Sequence, residues 1–164
     1  MTPAPLPGEQ GQVPAAINPV TGTVTDLLPP GLSFLGTEFD IVTSGNTIYV
    51  VSNMFSTFLQ EVNATTGAAQ SIPLSSPVTD MTVNPLSGNL FGMTPAPLPG
   101  ELGQVPAAIN PVTGTVTDLL PPGLSFLGTE FDIVASGNTL YVVSDTLDGT
   151  ASPRKAYSSR GVDS

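Results

Sequence analysis

The chain contains no cysteine, no histidine and no tryptophan, and its only basic residues, Arg154, Lys155 and Arg160, lie at the C-terminal end. Without cysteine there is neither a disulfide framework nor a thiolate metal site, and the redox compartment stays open. Without histidine, and without lysine before Lys155, a serine or threonine nucleophile lacks its usual activating bases, which removes Ser-His-Asp, Cys-His and Ser-Lys chemistry. Residues 1–153 carry carboxylates as their only charged side chains. Binding phosphates needs cations that displace counterions, so nucleic acid and anionic lipid are not expected partners. No stretch approaches the roughly 20 apolar residues of a membrane span. The first residues also lack the basic and apolar regions of a signal peptide, so the chain reads as soluble.

What is present points to β-structure. Glycine (17) and proline (18) are abundant, yet they fall between short apolar runs instead of forming one low-complexity tract. That is how an all-β chain with many turns reads. At 164 residues the chain is long enough for a real core.

Residues 93–145 repeat residues 1–53 with four differences: Gln10 becomes Leu102, Thr43 becomes Ala135, Ile48 becomes Leu140 and Asn53 becomes Asp145. The offset is 92 residues, and the repeat is out of phase with the chain ends. Met1 aligns with the internal Met93, so the first residues are expected to enter in mid-unit. Residues 146–164 match no part of the repeat and are expected to be an unstructured appendage.

A weaker half-repeat lies within the unit. Val62-Asn-Ala-Thr-Thr-Gly67 aligns with Ile17-Asn-Pro-Val-Thr-Gly22 and Ile109-Asn-Pro-Val-Thr-Gly114, and Ser44-Gly-Asn-Thr-Ile-Tyr49 with Ser87-Gly-Asn-Leu-Phe91. A period of about 40–50 residues holding several short strands predicts propeller blades. In the first full unit the strands are expected at 38–42, 48–52, 57–63 and 68–73. In the second they are expected at 78–83, 90–94, 103–109 and 115–120. Glycines 22, 67 and 114 suit tight hairpins that need positive φ, and the proline-rich segment 95–100 should bulge from its ladder.

The run Tyr49-Val-Val-Ser-Asn53, Val62-Asn-Ala-Thr-Thr-Gly67, Ile72-Pro-Leu74 and Val78-Thr-Asp-Met-Thr-Val-Asn-Pro85 resembles the YVTN type of β-propeller repeat, whose grammar PQQ-type and NHL blades share. The sequence departs from the family pattern at Val51, where the motif has Thr, and at Asn63 and Asn110, where it has Asp. The resemblance implies a propeller, an interaction role, and an extracellular or cell-surface origin in a prokaryote.

The expected fold is therefore all-β, a β-propeller of four-stranded antiparallel blades closed by oligomerisation. Residues 1–36 would form a partial blade, 37–76 and 77–128 full blades, 129–145 a second partial blade and 146–164 the tail. The ragged ends are complementary: early strands from the C-terminal end of one chain can join later strands from the N-terminal end of another. Two chains would then close a six-bladed ring, and separate partial blades would give seven or eight. The partner implied is a second copy of the chain, with a dimer favoured.

Five acids form the candidate site. Glu38 with Asp40, and Glu130 with Asp132, sit two apart on expected innermost strands, so each pair shares a face. Asp80 lies on the innermost strand of the other blade type. These acids read either as solvated or backbone-bonded positions, with Asp80 bonding a neighbouring blade, or as oxygen ligands for calcium near the channel. A paired-carboxylate hydrolase is the third reading, with no Trp platform for a sugar. Tyr49, Tyr141, Phe39, Phe91 and Phe131 are expected in the core. No catalytic residue and no cofactor other than calcium is expected. The leading function is a non-enzymatic, self-assembling structural or interaction scaffold. The alternative is a propeller module that binds calcium, another protein or a small polar ligand, the last also through the loops at 3–8 and 95–100.

Overall fold

A computed structural model of the chain describes residues 2–3, 12–28, 39–52, 56–100, 102–128, 131–144 and 155–158. Among the described residues there is no helix, and every strand pairing is antiparallel.

The N-terminal region holds β1 (Thr2–Pro3) paired with β2 (Gln12–Val13), and β3 (Ala15–Ile17) paired with β4 (Val24–Asp26). The second sheet is a four-stranded meander of β5 (Phe39–Ser44), β6 (Thr47–Ser52), β7 (Ser56–Asn63) and β8 (Ala69–Val78). The third repeats that order with β9 (Met81–Val83), β10 (Leu90–Pro95), β11 (Gln104–Ile109) and β12 (Val116–Asp118). The fourth holds β13 (Phe131–Ser136), β14 (Thr139–Ser144) and β15 (Lys155–Ser158).

The β3–β4, β7–β8 and β11–β12 hairpins share one local device. In each of Asn18, Asn63 and Asn110 the side-chain oxygen accepts the N–H groups two and three residues on, at 2.9–3.2 Å. The backbone oxygen accepts the N–H of Gly22, Gly67 or Gly114, and each glycine takes a φ near +70°. An asparagine four residues before such a glycine closes the loop with its own side chain. Asn84 and Gly88 close the β9–β10 loop in the same way.

Two strands differ from expectation. β8 runs on to Val78, and β9 starts at Met81 instead of 78. Between them the N–H of Thr79 donates to the oxygen of Met93 while the N–H of Met93 donates to the oxygen of Asp80, setting two residues against one. Such a bulge ends regular pairing and re-aims the side chain it carries, here Asp80. Of the expected tail, Lys155–Ser158 forms β15, and the other residues of 146–164 lie outside the described residues. β15 pairs Tyr157 with Leu140, where Val62 of β7 pairs with Ile48 of β6.

Successive sheets stack through apolar faces. Val13 and Leu28 meet Ile48, Val50 and Val62 of the second sheet. Val51, Leu59, Ile72 and Leu74 meet Met81, Leu90 and Ile109 of the third. Met93 meets Phe131, Ile133 and Val142 of the fourth. Residues 48 and 50 therefore face one neighbour and 49 and 51 the other, as the two-residue period of a strand requires. The first strands also meet: β9 lies against both β5 and β13.

Candidate functional site

The meeting of β5, β9 and β13 brings three of the candidate acids within electrostatic reach of one another: Asp40, Asp80 and Asp132. Glu38 and Glu130 lie outside the described residues. Asp40 accepts the N–H of Met81 on its Oδ2 and the N–H of Ile41 on its Oδ1, the latter at 2.9 Å. The inter-sheet backbone bond expected of Asp80 is thus made by Asp40. Asp80 Oδ2 accepts the hydroxyl of Thr79 at 3.1 Å, and that hydroxyl also lies 3.0 Å from Gln104 Oε1.

Burial raises the Asp40 pKa above its ordinary value; the Met81 and Ile41 N–H groups oppose that rise, and the charge of Asp132 adds to it. Asp80 is raised in the same way, by burial first, with the Thr79 hydroxyl opposing and the Asp40 and Asp132 charges adding. Asp40 thus accepts two protein donors and Asp80 one, and each carboxylate keeps further lone pairs. Among the described residues no three acids come close enough to share a metal ion.

A cavity of about 230 Å³ lies between the β9–β10 and β13–β14 hairpins, lined by Asn84, Ser87, Asn89, Phe91, Asn138 and Thr139 among others. The Asn84 amide donates to the oxygen of Gly137 at 2.5 Å and ties the two hairpins together. Pro95 stays in the ladder opposite Gln104 and the Ala96 N–H donates to the oxygen of Gly103 at 3.1 Å, so of the bulge expected at 95–100 only positions 97–100 stand clear and exposed.

The repeat provides an internal control on burial, because identical side chains occupy different surroundings. Ile109 is 4% exposed and its copy Ile17 is 68% exposed. Ile133 is 3% exposed and its copy Ile41 is 36% exposed. Val51 is 1% exposed, whereas Val143 is 49% exposed and the neighbouring Val134 and Tyr141 stand out with it. Tyr141, expected in the core, is therefore at the surface, because no described sheet stacks on that side of β13–β14. A Cβ on Gly114 would lie 1.9 Å from the oxygen of Pro73, while one on Gly22 would meet nothing within 4 Å. Full burial of a Val or Ile side chain is worth about 1.5–3 kcal/mol, so these faces hold a considerable unrealised stabilisation. No family model and no curated protein matches the chain.

Proposed function

We propose that the chain is a non-enzymatic β-propeller fragment that self-assembles into a homo-oligomeric ring and serves as a structural or interaction scaffold. The observation that carries this reading is the unequal burial of the two repeat copies. Residues sealed by a neighbouring sheet in one copy are bare in the other, at both ends of the stack. Exposed apolar faces and open strand edges are liabilities that ring closure removes. Meanders packed face to face, with their first strands adjacent, are the arrangement that a ring of blades needs. Six blades from two chains is the favoured count.

The test is the absolute mass in solution, by light scattering on a size-exclusion column over a range of concentrations. A mass that rises with concentration and levels at two chains is expected. A single-chain mass at every concentration would overturn the reading.

The second reading, a module for a small polar ligand, draws on the amide-lined cavity between the two hairpins. It predicts a rise in melting temperature with a small polyol or sugar, and a flat response argues against it. A calcium-dependent rise would instead favour Asp40, Asp80 and Asp132.

A further inference from the structure

The copies also differ in strand pairing, and the difference points to a particular contact. Ala107, Ala108 and Ile109 of β11 pair on one side with Leu90, Phe91 and Gly92 of β10 and on the other with β12. Their copies, Ala15–Ile17 of β3, pair with β4 alone among the described residues. β1 reproduces only the last two rungs of the missing partner, opposite Val13 and Gln12. Beside this gap stands the bare Ile41 of β5, whose copy Ile133 is sealed by the third sheet. Among the described residues, then, Ala15–Ile17 lack the second partner strand that Ala107–Ile109 have, and Ile41 lacks the cover that Ile133 has.

We propose that β13 and β14 of a second copy of this chain fill that gap. β14 adds antiparallel to the open edge of β3, in the place β10 takes on β11 and displacing β1 from its two rungs on β2, and β13 lies inside it as the first strand. The inference rests on the self-assembly reading above and specifies its contact.

Three features identify this occupant. β14 and β10 are both six-residue strands. The uncovered face of β13–β14 carries Val134, Tyr141 and Val143, apolar groups suited to the uncovered Ile41. Within the chain, β5–β6, the copy of β13–β14, already uses Val42, Tyr49 and Val51 to pack against the next sheet. Strand addition of this kind takes its strength from main-chain hydrogen bonds and its selectivity from alternate side chains. The edge of β14 is held in cis by β15, at the register β7 takes on β6, so β15 leaves as β3 arrives. Reciprocal exchange between two copies covers both ends at once with two-fold symmetry.

The experiment uses Ile41→Asp and Val143→Asp, both at exposed positions, with circular dichroism to check that each variant keeps its strands. Each variant alone carries a charge in both contacts of the ring and should fall from a two-chain to a one-chain mass. An equimolar mixture of the two retains one unaltered contact, because the Ile41→Asp chain supplies an intact β14 and the Val143→Asp chain an intact β5. The mixture should regain the two-chain mass. Variants that keep the mass of an oligomeric wild type, or a mixture that stays at one chain, overturn this contact while leaving self-assembly standing. A wild-type chain that is itself monomeric overturns both.

Discussion

The carboxylate of Asp40, on the first strand of the second sheet, accepts the backbone N–H of Met81, on the first strand of the third. One side chain thus joins two sheets at the point where their inner strands meet, and it satisfies a donor on a buried residue. Replacing Asp40 by Ala leaves that N–H without its acceptor, a loss of about 1–3 kcal/mol. Asp40→Asn keeps an oxygen acceptor at the same place and should cost far less. Urea unfolding of the two variants against wild type measures the difference. Equal losses for Ala and Asn would assign the role to charge instead of the hydrogen bond.

The same carboxylate, with Asp80, gives stability a pH dependence whose sign is set by burial. Both pKa values are raised above the ordinary 3.8, so the folded chain holds these protons more tightly than the unfolded chain does. Where the folded state binds more protons, stability falls as pH rises. The penalty therefore grows from about pH 3.8 up through the raised folded values and is complete above them. An Asp40→Asn/Asp80→Asn double variant removes it. The gain of the double variant over wild type should open across that window and stay constant to neutral pH. A gap that closes as pH rises would reverse the assigned cause.

The two isoleucine copies allow a comparison at fixed chemistry. Ile133→Ala empties a packed site between Phe131, Val142 and Met93 and should cost about 2–5 kcal/mol. Ile41→Ala removes a side chain that is more than a third exposed and should cost well under half as much at chain concentrations where only monomer is present. As concentration rises and β5 is covered, the Ile41→Ala loss should grow toward that of Ile133→Ala. Thermal unfolding over a concentration series reads both. A loss at Ile41 that never changes with concentration counts against coverage of β5.

Much of the secondary structure was legible because it is written locally. The Asn and Gly that close each turn lie four residues apart, and the alternation within β6 and β14 assigns residues 48 and 50, or 140 and 142, to one face. The contact of Asp40 with Met81 was not legible, since its donor is a backbone group 41 positions away on another sheet. Nor could the sequence distinguish Ile17 from Ile109 or Ile41 from Ile133. Ile17 and Ile109 sit in identical local sequence, and Ile41 and Ile133 in local sequence that differs only at Thr43/Ala135 and Ile48/Leu140, yet their burial follows whether a further sheet lies over them. The break of the 78–83 strand likewise comes from Met93 facing both Thr79 and Asp80 across the ladder.

β15 supplies the last prediction, because its backbone occupies the edge that the proposed exchange requires. Ala156 of β15 stands opposite Tyr141 of β14. Ala156→Pro removes an N–H and places a ring in the ladder, so β15 should lose its hold on β14. Circular dichroism of the variant checks that the other strands are retained. With the edge of β14 open, a second copy no longer competes with the chain's own tail, and the two-chain mass should appear at a lower concentration than in wild type. Light scattering across a dilution series gives the comparison directly. If the variant needs a higher concentration to associate, β15 belongs to the contact instead of standing in its way.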